Sequence, residues 1–164
     1  MTVRHDCPLA PNGEWVSELT ELQQRRASAL AMGGPDALER FRASGRMNAR
    51  ERIAALADEG SFQEMGTLAG KSQYDADGRY LRTDPTNAII GTARVDGRKV
   101  ALHVDDFTIK AGSSEGTIAD KWIYIERLAY QLRMPLVRLV DSAGGSVKLL
   151  MQIGGTKIPE YTTW

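Results

Sequence analysis

Apolar positions follow a helical rhythm in the first third of the chain and a strand rhythm after it. From Glu14 to Met32, Trp15, Val16, Leu19, Leu22, Ala29 and Leu30 recur at helical spacing with Glu and Arg between them. Asn12 or Gly13 can cap this helix, and Gly33-Gly34-Pro35 ends it. Asp36 to Ser44 predicts a short second helix, with Pro35 in its first turn and Gly45 just past its end. Asn48 with Glu51 three residues on has the form of a capping box. The third helix then runs through Ile53, Ala54 and Leu56 to Ala57 and stops at Gly60.

Beyond Gly60 the pattern shortens. Ser61 to Leu68 predicts a first strand, and polar Gly70 to Pro85, with Lys71, Asp75, Asp77, Gly78 and Asp84, a long exposed loop. Ala88 to Val95 is an apolar strand, Asp96-Gly97 a two-residue hairpin turn, and Lys99 to Phe107 the antiparallel return. Thr108 to Glu115 is a loop. Ile118, Trp122, Ile125, Leu128, Ala129 and Leu132 then make one stripe of a helix over Thr117 to Arg133. After Pro135 the run Leu136 to Val140 predicts a buried strand. It stops at Asp141-Ser142, turns through Ala143-Gly144-Gly145 and opens into a helix over Ser146 to Ile153. Two strands, a crossover helix and a third strand define an α/β fold of β-β-α type. The expected division is a disordered stretch over 1–12, a helical segment over 13–60 and an α/β part over 61–164.

Composition narrows the chemistry. A chain of 164 residues with 42% hydrophobic and 26% charged residues has the make-up of one soluble domain. Lys plus Arg equals Asp plus Glu at 21 each, so net charge gives no reason to expect nucleic acid or an anionic membrane as partner. Cys7 stands alone, which excludes an internal disulfide and a cysteine-based zinc site, and two histidines make metal catalysis an unpromising class. No apolar run has the length of a membrane span, and the start lacks a signal-peptide layout. A cytoplasmic protein is the expectation.

The glycine turn after Val140 is the main chemical candidate. Small residues let a ligand approach the backbone, and the first amides of a helix lack intrahelical acceptors. Two such N–H groups aimed at one point would hold an oxyanion; otherwise the glycines serve the turn alone. Arg40, Arg42, Arg46, Arg50 and Arg52 lie close together and suit either a solvated face or a phosphate site. His103 with Asp105-Asp106 reads as structural, because no nucleophile follows. Ser142 lacks the Gly-x-Ser-x-Gly elbow, since Val140 takes the first glycine's place.

Several blocks together carry a resemblance. Arg25-Arg26 through Gly33-Gly34, Gly45-Arg46-Met47-Asn48-Ala49-Arg50-Glu51-Arg52-Ile53 and Asp58-Glu59-Gly60-Ser61-Phe62-Gln63-Glu64 resemble the N-terminal region of biotin-dependent acyl-CoA carboxyltransferases. These are the β subunits of propionyl-CoA carboxylase and its relatives. Asp106-Phe107-Thr108 and Ala111-Gly112-Ser113 are similar to the family's Asp-Phe-Thr and Gly-Gly-Ser loop, and Asp141-Ser142-Ala143-Gly144 to its acyl-CoA loop. The departures are Gly145-Ser146-Val147-Lys148 in place of Ala-Arg-Ile-Gln, and Ala111 where many relatives have glycine.

The resemblance implies a crotonase-like fold of β-β-α units behind N-terminal helices, cut within the first of two such domains. It implies carboxyl transfer from carboxybiotin, borne on a separate biotin carrier subunit working with biotin carboxylase, to an acyl-CoA, with no metal. The acyl-CoA reacts as a thioester enolate, its oxygen held by the backbone amides of Ala143 and Gly144. Gly112, Ser113, Gly145, Arg46 and Arg50 are implied in substrate binding, the arginines toward CoA phosphates. It also implies homo-oligomers in the full-length form and an N-terminal fragment that is inactive alone. The alternative is a non-catalytic remnant or interaction module of the same fold.

Overall fold

The computed structural model describes residues 15–154, so the expectation of disorder over 1–12 lies outside the described residues. Three helices come first: α1 (Val16–Ala31), α2 (Pro35–Ala43) and α3 (Ala49–Leu56). The capping box forms as the sequence predicts. Asn48 Oδ1 accepts from the Glu51 amide at 3.0 Å, and Glu51 accepts from the Asn48 amide at 2.9 Å. Pro35 occupies the first turn of α2, where its missing N–H costs no hydrogen bond.

A four-stranded sheet in the order β1-β4-β5-β6 forms the centre. Here β1 is Gln63–Met65, β4 Ala88–Val95, β5 Arg98–Asp105 and β6 Leu136–Leu139; β2 (Gly70–Tyr74) and β3 (Tyr80–Pro85) make a separate pair. The β4–β5 ladder runs antiparallel from Ala88↔Asp105 to Val95↔Arg98 around the Asp96-Gly97 turn. Both turn residues have positive φ, 49° and 74°, the conformation that Asp-Gly favours in a tight hairpin. Helix α4 (Ala119–Gln131) crosses over, and β6 pairs parallel with β5 from Ala101↔Leu136 to Val104↔Leu139. Helix α5 (Val147–Ile153) follows the glycine turn.

Period-two alternation splits β5 between two cores. Val100, Leu102 and Val104 pack with Ile89, Ala93, Met32, Ala49 and Ile53, so the N-terminal helices share their core with the sheet. Ala101 faces the other way with Ile90, Ile125 and Ala129, beneath α4. His103 lies on that second face, 5.0 Å from the Trp122 ring. Helical segment and α/β part are therefore joined by a common hydrophobic cluster.

The stretch Gly70 to Pro85 differs from the expected loop. It is the β2–β3 hairpin, with Lys71↔Asp84 and Ser72↔Thr83 in register. Its strands are polar because the hairpin lies against α1 and not in the core. Arg25 of α1 rests on the rings of Tyr74 and Tyr80 at 5.9 and 5.8 Å, and Tyr74 donates to Glu21 at 2.8 Å.

Candidate functional site

Two loops meet beyond the C-terminal ends of β5 and β6. One covers residues 106–117 and the other Asp141–Ser146. Asn87 anchors the first. Its amide donates to the Ser113 carbonyl at 2.7 Å, its backbone N–H donates to Gly116 O at 3.1 Å, and its own carbonyl accepts from Asp106 N at 2.8 Å. The residue is almost fully buried. Sequence reasoning missed it, although a polar Asn opening an apolar strand was a usable signal.

The second loop docks on the first at van der Waals limits. Gly112 has a φ of +66°, and a Cβ there would stand 2.4 Å from the Asp141 carbonyl oxygen. Only glycine allows that approach. Ser142 Oγ donates to the Gly112 carbonyl at 2.6 Å, the Ser114 amide donates to Gly144 O at 3.2 Å, and the Ser146 amide to Ser114 Oγ at 3.1 Å. Ser146 also caps α5, accepting from the Leu149 amide at 3.2 Å.

The two candidate oxyanion donors have partners of their own. Ala143 N–H donates to the Ala111 carbonyl at 2.9 Å, and Gly144 N–H to Ser142 Oγ at 3.0 Å. Free amides were the expectation; a loop folded on a second loop pairs its polar groups instead. Both acceptors are neutral oxygens, and Ala143 and Gly144 are exposed. Gly145 is exposed beside them, whereas Gly112 and Ser113 are buried beneath.

The arginines divide. Arg50 is forked onto Glu64 at 2.8 and 3.3 Å. Arg42 pairs with Glu51 at 2.8 Å. Arg46 reaches the loop itself, hydrogen-bonding Asp141, with Arg52 at 3.9 Å from the other carboxylate oxygen. The geometry thus gives Arg46 and Arg50 carboxylate partners where phosphate contacts were expected. An open cleft of about 290 Å³ lies between Arg46, Met47, Arg52, Val140 and Asp141.

Buried titratable groups stand behind the loops. Burial, with Arg138 and Lys121 nearby, lowers His103 to about 4, so its ring is neutral at pH 7. Its Nε2 is 3.4 Å from Asp105 Oδ1 without hydrogen-bond alignment, so this contact is not an ion pair. Burial also raises the Asp105 carboxyl, whose Oδ2 accepts from the Asp141 amide at 3.1 Å. Lys121 donates to the Ala88 carbonyl at 2.6 Å and is lowered by burial to about 8. Among the described residues no group of three or more His, Cys, Asp and Glu is placed to hold a metal ion. No helix there is long and apolar enough to cross a membrane.

This architecture belongs to a known class. The carboxyl transferase domain matches residues 40–161, and the chain is a member of that family. It is 34% identical over 131 residues to the biotin-dependent acetyl-/propionyl-coenzyme A carboxylase beta5 subunit of Mycobacterium tuberculosis, covering 80% of this chain and 24% of that one. To the propionyl-CoA carboxylase beta chain of Cereibacter sphaeroides it is 35% identical over 130 residues, covering 79% of this chain and 26% of the relative. The fold matches the solved transcarboxylase 12S with a TM-score of 0.65 at 22% identity, over 85% of this chain and 27% of that chain. It also matches the P. aeruginosa geranyl-CoA carboxylase beta subunit with a TM-score of 0.59 at 26% identity, over 85% and 25% of the two chains. The crotonase-like carboxyltransferase fold is therefore present in part, and the chain spans about a quarter of the length of these curated relatives.

Proposed function

We propose that the loop Asp141–Gly145 is the acyl-CoA end of a biotin-dependent carboxyltransferase, and that it holds a thioester oxygen as that oxygen gains charge. The observation that carries this is the pairing of two successive exposed amides, Ala143 and Gly144, with neutral acceptors only. An enolate oxygen is a far stronger acceptor than a serine hydroxyl or a peptide carbonyl, so it can take these donors over. The Gly144 donor is the easier to release, because Ser142 Oγ can rotate away. Gly112 keeps the two loops close, while Gly145 leaves the approach open.

Carboxybiotin, on a separate carrier, supplies the carboxyl group. The donor set here, amides and hydroxyls, fits a carbonyl-type oxygen. The residues of this chain bind the acyl-CoA, orient its thioester and stabilise the charge, each amide contributing about 3 kcal/mol when desolvated. Ser142 forms no covalent bond; its hydroxyl donates to the Gly112 carbonyl while accepting the Gly144 amide. Arg46 and Arg50 would contact CoA phosphates only by leaving their carboxylates.

A second reading, an interaction module of the same fold, is favoured by α5, which leaves Val147, Met151 and Ile153 exposed. Calorimetric titration with propionyl-CoA, acetyl-CoA and free CoA separates the two. Tighter binding of a thioester than of CoA, lost in Gly144→Pro and kept in Ser142→Ala, supports the oxyanion role. No thioester preference, or its loss in a folded Ser142→Ala, overturns it.

A further inference from the structure

We propose that Arg46 is a positioning residue for the glycine loop, acting through Asp141. The function of that loop rests on the reading above, while the positioning itself is independent of it. Arg46 sits in the link between α2 and α3, and its guanidinium lies against two aromatic rings. Phe41 from α2 is 4.6 Å from the guanidinium carbon, and Phe107, just past β5, is 4.8 Å. The rings are tilted by 34° with centroids 5.8 Å apart, forming a shallow apolar seat. A planar guanidinium seated in this way keeps its N–H fork in one direction.

That direction is toward Asp141. Its carboxylate hydrogen-bonds Arg46 and has Arg52 at 3.9 Å, while its backbone N–H is tied to Asp105 at 3.1 Å. Asp141 is thus fixed at both its main chain and its side chain. It is also the residue whose carbonyl lies against Gly112. A displacement of Asp141 would carry Ser142, Ala143 and Gly144 with it, changing where their amides point. The N-terminal segment therefore acts on the site through Arg46, reached across 95 residues of sequence, with Arg52 of α3 beside it. An isolated exposed ion pair would order little, because two flexible side chains must be immobilised to make it. The ring seat has already immobilised one of them.

The test is amide hydrogen exchange resolved by residue on this chain, with and without ligand. In Arg46→Gln, exchange at Asp141 to Gly145 should rise about tenfold, while Val137, Leu139 and the amides of α3 keep their protection. Arg46→Lys, which keeps the charge but fits the ring seat poorly, should fall between the two. Asp141→Asn removes the same pair from the other side and should reproduce the pattern if the arginine variant folds badly. In titrations Arg46→Gln should lose the preference for propionyl-CoA over CoA and keep its affinity for CoA. Unchanged loop exchange, or a rise spread evenly over β6 and α3, overturns the proposal. An equal loss of affinity for CoA and propionyl-CoA would make Arg46 a phosphate contact instead. If the wild-type chain binds no thioester, the acyl-CoA reading fails, and the exchange data still decide the role of Arg46.

Discussion

Two turns close opposite ends of the central sheet, and both gather successive backbone amides around an acceptor. At the Asp96-Gly97 hairpin the acceptor is permanent. The Asp58 carboxylate takes the Asp96 amide at 2.9 Å and the Gly97 amide at 2.8 Å. At the Ala143-Gly144 turn the acceptors are a peptide carbonyl and a hydroxyl. Two adjacent amides can therefore hold a full negative charge in this fold, and the chain fills that capacity with its own aspartate at one end only. The other end keeps neutral acceptors, which a developing charge can displace. A structural turn and a candidate binding turn differ here by the charge of what fills them.

The sharpest way to break the comparison is to place alanine at one glycine from each end. Gly97 and Gly112 have similar φ values of 74° and 66°, but the added Cβ meets open space at 97 and the Asp141 carbonyl at 112. Gly97→Ala should cost about 1 kcal/mol of left-handed strain, whereas Gly112→Ala should cost about 3 kcal/mol or more in denaturant unfolding. Equal costs would mean that the two loops are not in contact.

Acid should weigh on the loop end next. Unfolded His103 takes its proton near 6.5 and the folded residue only near 4, so the unfolded state binds more protons between these values. Stability should fall as pH drops from 6.5 to 4, by roughly 3 kcal/mol from this group. The raised Asp105 carboxyl opposes part of that loss. His103→Leu should flatten this window in pH-dependent unfolding. Asp58→Ala should cost about 2 kcal/mol, since it strips both amides of a charged acceptor, and should leave propionyl-CoA titrations unchanged. The smallest effect belongs to Ala111, held at a φ of 53°. Ala111→Gly should gain under about 1 kcal/mol in thermal unfolding, the relief of strain being partly offset by unfolded-state entropy.

Local chemistry was legible in the chain. Asn48 with Glu51 and Asp96-Gly97 each carry their structure within a dozen residues and form as expected. The run from Leu136 into the glycines forms its strand, but over Leu136–Leu139, only half-buried, with Val140 exposed, because β6 is the last strand of the sheet. The β2–β3 hairpin did not announce itself, because its strands have too few apolar residues to show a core face. Its Asp77-Gly78 turn, flanked by Tyr74 and Tyr80, was the available sign, and the partner that makes it a strand pair is α1. The candidate site divides the same way. Ala143, Gly144 and Gly112 lie on two loops that pack against each other. That Ala143 N–H donates to Ala111, and that Arg46 meets Asp141, depend on segments distant in sequence, which no local pattern encodes.

The tethers of the glycine loop also set an order of assembly. The β4–β5 hairpin closes through two residues and loses little chain entropy, so it can form early. The loop from Asp141 to Ser146 has its supports at residues 46, 105, 111, 112 and 114, and is complete only when all of them are in place. Folding should therefore finish at this loop, and partial unfolding should begin there. A chain that still has its sheet by circular dichroism can already have lost the site, so spectroscopic foldedness and ligand competence are separate quantities for this protein.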